Sequence, residues 1–123
     1  MLNRKPSPFL RAYIECALWS STDEDSNPFE DFEVSDACYL AMAADCADFV
    51  NANREDLDEA TDELHRDDEA HGHDFWLTRN RHGAGFWDRG YSPELSKRLT
   101  DAAHAYGEVY LYVNPDTDEV ECD

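Results

Sequence analysis

The sequence predicts an α+β fold, with three or four helices packed on a small, mainly antiparallel sheet. Three observations point there. Ser-Pro pairs at Ser7-Pro8 and Ser92-Pro93 each open a stretch whose apolar residues recur three or four apart. The region from Ser35 to Glu69 carries the same helical period over a long run. Near the end, Val109, Leu111 and Val113 alternate with Tyr110 and Tyr112, the pattern of a half-buried strand.

Taken in order, Phe9, Leu10, Tyr13, Ile14, Ala17 and Leu18 make one face of a first helix, capped by Ser7 and ending near Ser20. The acidic stretch from Ser21 to Val34, with Asn27-Pro28 inside it, reads as a loop. Ser35 is the candidate cap of a second helical region, in which Tyr39, Met42, Cys46 and Phe49 lie on a broad apolar face. Leu57, Ala60 and Leu64 form a thinner line beyond it, so the region is one long helix or two with a break near Asn51 to Asn53. Gly72 is read as its end, and Phe75, Trp76, Leu77 and Thr78 as a short strand of strand-forming residues. His82-Gly83-Ala84-Gly85 is a turn leading to a second strand at Phe86-Trp87. Leu95, Leu99, Ala102, Ala103 and Tyr106 stripe a last helix, after which Glu108 to Val113 and Val120 to Cys122 pair as a hairpin across Asn114 to Asp118.

A chain of 123 residues fits a single domain spanning 1–123. Leu, Ile, Val and Phe number only 22, which with high charge would suit disorder, but fifteen aromatic residues can supply a compact core. Lys plus Arg is 10 against 29 Asp plus Glu, a formal charge of -19. That sign excludes general phosphate neutralisation, and so direct nucleic-acid binding, and it excludes docking on anionic lipid. Cys16, Cys38, Cys46 and Cys122 show no C-x-x-C pair, and on one helix Cys38 and Cys46 would lie too far apart to bond, so reduced thiols and a cytoplasmic location are expected. The apolar stretch after Arg4 and Lys5 is broken by Arg11 and Glu15 and reads neither as a signal peptide nor as a membrane span.

The most informative feature is the placement of acids. Asp45, Asp48, Glu55, Asp56, Glu59, Asp62, Glu63, Asp67 and Glu69 fall mainly opposite the apolar positions of the second helical region. On one continuous helix they would extend about 37 Å at 1.5 Å per residue. Like charges at i,i+4 repel, so the stripe carries a cost. It is expected to contact the basic surface of a host or phage protein, as a nucleic-acid mimic would. Solubility alone, or adaptation to high salt (17 Asp against two Lys), would also produce it.

A rival site is the one concentration of positive charge, Arg79, Arg81, His82 and Arg89 around Gly83 and Gly85, a candidate anion-binding loop in a small ligand-binding or catalytic domain. It lacks the Lys-Ser/Thr end of a phosphate-binding loop, and the favoured reading is that the arginines pair with neighbouring acids while the glycines serve a tight strand connection. No cofactor or metal is expected. His65, His71, His73 and His82 sit among Asp67, Asp68, Glu69 and Asp74 without an H-E-x-x-H spacing. The calcium-like start at Asp23, Asp25 and Asn27 fails, because Pro28 stands where glycine is required. No nucleophile elbow is present, so a non-enzymatic role is expected.

The run from His73 to Asn80 (HDFWLTRN), continued from His82 to Arg89 (HGAGFWDR), resembles a family of small, uncharacterised proteins encoded by bacteriophages and prophages. The likeness extends more loosely to Tyr13–Asp25 and Ala105–Tyr112, while Arg81 stands where members of that family have glycine. The resemblance implies an origin on a mobile element. By analogy of class it implies an inhibitor of a host nucleic-acid or defence enzyme, of the anti-restriction or anti-CRISPR type.

Overall fold

All five described helices bury residues in one core, and at one close contact in it a glycine meets backbone. The computed structural model describes residues 3–22 and 25–123. Five helices, α1 (Pro8–Ser20), α2 (Asp36–Ala52), α3 (Arg54–Leu64), α4 (Asp68–Arg79) and α5 (Pro93–His104), precede the strands β1 (Leu111–Asn114) and β2 (Glu119–Cys122). Short 3-10 turns lie at Phe29–Asp31 and Phe86–Asp88. The architecture is thus mostly helical, with one small antiparallel hairpin at its C-terminal end, and the helices pack chiefly on each other rather than on a sheet.

The helix starts follow their capping residues. Ser7 Oγ accepts from Leu10 N at 3.1 Å, Ser35 Oγ from Cys38 N at 3.0 Å, and Asp67 Oδ1 from Ala70 N at 3.0 Å. The break within the second helical region falls at Asn53, which ends α2 and precedes α3. In β1 and β2 the partners run from Leu111↔Cys122 to Asn114↔Glu119. A single parallel bridge, Val34↔Val120, attaches the hairpin to the start of α2 through Ser35 N to Val120 O and Val120 N to Glu33 O, each 2.8 Å.

Two sequence expectations fail here for one reason. Phe75 to Thr78, expected as a strand, is the last turn of α4, and Gly72, expected as a helix stop, lies inside it. Eight of the twelve α4 residues are buried, so this central helix shows no two-sided pattern and its apolar run imitates a buried strand. Gly72 is there for contact: a Cβ on it would stand 2.1 Å from the carbonyl oxygen of Phe9. Phe86-Trp87, the second expected strand, is a 3-10 turn that returns the chain onto α4, with Phe86 N bonded to Thr78 Oγ1 at 3.0 Å.

That close approach builds the core. Phe49 stacks on Phe75 at 4.1 Å between centroids, and Tyr13 meets Trp76 edge-on at 5.4 Å. Trp76 Nε1 donates to Ser20 Oγ at 2.8 Å, satisfying its only donor. A fourth expectation fails at the cysteines. Cys38 and Cys122, 84 residues apart in sequence, form a disulfide with Cα atoms 5.3 Å apart, because β2 returns beside the first turn of α2. Spacing along the chain carries no sign of that closure, and the pairing removes thiol state as an argument for a cytoplasmic location. Cys16 and Cys46 remain free and buried. No helix among the described residues is long and apolar enough to cross a membrane.

Gly72→Ala is expected to destabilise the fold by about 3 kcal/mol, the upper end for overpacking, because backbone rather than a flexible side chain must yield. Chemical denaturation monitored by circular dichroism checks this, and a cost near the few tenths expected of an open helical site would contradict the α1–α4 contact.

Candidate functional site

The nine acids of the predicted stripe do not form one ridge. The turn at Asn53 redirects the chain, and a second break separates α3 from α4, so the nine acids are shared among α2, α3 and the start of α4. Seven of them have partners inside the molecule. Asp45 pairs with Arg79 at 2.8 Å, Asp48 accepts from Tyr106 Oη, and Arg98 reaches Asp56 at 3.1 Å and Glu59 at 3.4 Å. Glu63 accepts from Ser92 N at 2.8 Å and Ser92 Oγ at 3.1 Å, placing a carboxylate at the start of α5. Ser92 therefore serves its helix through Glu63 rather than through its own hydroxyl. Asp67 caps α4, and Glu69 pairs with Arg11 at 3.1 Å.

What survives is shorter. Along α3, Glu55, Asp58, Glu59 and Asp62 occupy an exposed face at i, i+3, i+4 and i+7, with Leu57 and Ala60 buried behind them. Glu55 and Asp62 make no hydrogen bond or ion pair among the described residues. Asp58 was missed by the sequence reading. It is held at 2.9 Å by Arg54, which also reaches Asp68 at 3.0 Å. The helical period of acids within α3 alone would have found it.

The arginine loop does not assemble as an anion site. Arg79 is buried, and four of its five guanidinium N–H groups have partners: Nε donates to Gly107 O at 2.9 Å, Nη2 to Tyr106 O at 3.0 Å, and Nη1 to Tyr13 Oη at 3.1 Å as well as to Asp45. Arg89 turns the other way, to Asp74 at 2.8 Å. Arg81 and His82 are exposed, and their side chains make no hydrogen bond or ion pair among the described residues. Gly83 faces open space, while Gly85 packs against Thr78, where a Cβ would stand 2.3 Å from its hydroxyl oxygen. Arg79 and Arg89 thus brace separate parts of the fold, while Arg81 and His82 face solvent.

A buried polar group lies beneath α4. Asp74 is fully buried and receives Arg66 at 2.9 Å on one oxygen and Arg89 on the other, a carboxylate held between two cations. His71, also fully buried, meets Thr61 Oγ1 through Nε2 at 2.9 Å. Burial pulls its pKa down, opposed by Asp68 and Asp74 and assisted by Arg66 and Arg54. Burial also pushes the Cys16 thiol up to about 12 and raises Cys46, so neither is a nucleophile at neutral pH. Among the described residues no three His, Cys, Asp or Glu side chains gather as metal ligands. The calcium-like run begins at Asp23, which lies outside the described residues.

Comparison of the chain with protein-family models, curated proteins and solved structures finds no match.

Two outcomes follow from the buried charges. Arg79→Ala should cost about 2–3 kcal/mol of stability, because it leaves Tyr13 Oη and two carbonyls without their donor while the partly exposed Asp45 is rehydrated; urea unfolding checks it. Because His71 has a lowered folded pKa, the unfolded chain takes up a proton that the native state refuses. Stability is then complete above the usual histidine value of about 6.5 and is lost as pH falls below it, by at most about 1.4 kcal/mol per pH unit. His71→Leu should flatten that limb of a stability–pH curve.

Proposed function

We propose that this protein is a non-enzymatic, acidic binding protein that engages a basic surface on a nucleic-acid-handling protein, imitating a nucleic-acid backbone through α3. One observation carries the reading. Eight of the ten Lys and Arg side chains are already ion-paired within the molecule, while the outer face of α3 presents Glu55, Asp58, Glu59 and Asp62 to solvent.

The charge density suits the role. The four carboxylates on the exposed face of α3, from Glu55 to Asp62, span about 10.5 Å, roughly one per 3.5 Å, with Asp58 and Glu59 each beside one arginine. One strand of B-DNA carries a charge every ~3.4 Å along its axis. A rigid helix fixes these charges in advance, so a cationic groove meeting them gains electrostatic steering without ordering a flexible tail. The resemblance of the His73–Asn80 and His82–Arg89 motifs to phage and prophage proteins supports a mobile-element origin. It also supports a host nucleic-acid or defence enzyme as the class of partner. The dispersal of Arg79, Arg81, His82 and Arg89 leaves the anion-binding alternative without a shared pocket.

Affinity capture from a bacterial lysate at low salt tests this, using the wild-type chain beside a variant carrying Glu55→Gln, Asp58→Asn, Glu59→Gln and Asp62→Asn. The expected partner elutes as salt rises, is displaced by duplex DNA, and is lost from the variant. A partner that stays bound in high salt, holds DNA simultaneously, or binds the variant equally well overturns the proposal.

A further inference from the structure

One cleft among the described residues is unrelated to the α3 face. It lies between α1 and α4, with a volume of about 640 Å³, within the range of sites that hold ligands. Ala12, Glu15, Cys16 and Trp19 line it from α1, spaced i, i+3, i+4 and i+7, and Ala70 and His73 line it from α4.

Two properties of this cleft point to one kind of occupant. The first is apolar. Trp19 is 61% exposed at its rim in a chain short of aliphatic residues, although the core takes in Trp76 almost completely. The second is electrostatic. Glu15, Glu30, Asp67 and Glu69 surround the cleft, and among the described residues no Lys or Arg lines it, Arg11 reaching only Glu69 at its edge. Glu15 and Glu30 make no hydrogen bond or ion pair among the described residues, whereas Asp67 and Glu69 are committed to the α4 cap and to Arg11. The carbonyl end of α1 adds negative potential, and its last turn contains no basic side chain.

We propose that the α1–α4 cleft docks a short cationic segment of a partner protein, carrying Arg or Lys beside an aliphatic anchor. The guanidinium or ammonium group lies against the Trp19 ring and between the Glu15 and Glu30 carboxylates, and the aliphatic side chain enters toward Ala12, Cys16 and Ala70. The open form of the cleft suits an extended peptide, and its charge rejects acidic peptides and nucleic acid. The site uses none of the α3 carboxylates and stands independently of the reading above.

The test is selection of a random 12-residue peptide library on the immobilised full chain at low salt, followed by fluorescence anisotropy with the best synthetic peptide. Enriched peptides are expected to combine Arg or Lys with Leu, Ile or Met. Binding should weaken at least tenfold in Trp19→Ala and in the Glu15→Gln, Glu30→Gln double variant, all exposed positions, with circular dichroism checking that each variant keeps the fold. It should be unchanged when the four α3 carboxylates are neutralised. Failure to enrich that pattern, or affinity indifferent to Trp19 and to Glu15 with Glu30, overturns the proposal. Binding lost only with the α3 variant assigns the peptide to α3 and overturns it as well.

Discussion

The contact between Gly72 and the backbone of Phe9 sets the geometry on which the rest depends. Without it α1 and α4 could not approach closely enough for Tyr13, Phe75 and Trp76 to interlock, and Phe49 of α2 would lose the ring it stacks on. The same approach fixes the width of the cleft that Trp19 borders, since its walls are the outer flanks of that helix pair. In a chain with few aliphatic residues, aromatic rings at close spacing supply most of the apolar burial, and rings tolerate little play in helix separation.

Around that core, charge performs two different jobs. Arg79 ties α1, α2, α4 and the segment after α5 through four acceptors, and Asp74 joins Arg66 and Arg89 beneath the opposite side of α4. Groups so deeply placed are costly unless fully partnered, and here they work as cross-braces more than as sources of net stability. Carboxylates closer to the surface do lighter structural work, Asp67 capping α4 and Glu63 holding the start of α5. A high count of acids in the sequence therefore overstates how many are free for recognition.

Much of the framework could be read in advance from local chemistry. Ser7 and Pro8 marked the start of α1, Ser35 the start of α2, and Asn114 to Asp118 the turn of the hairpin, because each acts on its near neighbours, whereas the sequence left one helix or two open after Ser35. What escaped depends on distant partners. Gly72 is a stop signal by propensity and a contact point by packing, and only the presence of Phe9 decides between them. Arg79 and Arg89 are neighbours in sequence around a glycine turn, yet one faces Asp45 and the other Asp74. The acidic stripe was legible as composition but not as a surface, since the Asn53 turn and the internal arginines reshape it; Glu55, Asp58, Glu59 and Asp62 are the part that local periodicity preserves.

The absorption of nearly all cationic side chains into internal pairs also governs how copies of the molecule meet. Two such surfaces approaching each other present carboxylate to carboxylate, with only Lys5 and Arg81 outside an ion pair among the described residues to offer a complementary spot. In dilute electrolyte that repulsion opposes self-association. Added salt relaxes self-avoidance and weakens oppositely charged encounters together, so a single electrostatic setting controls both colloidal behaviour and selectivity.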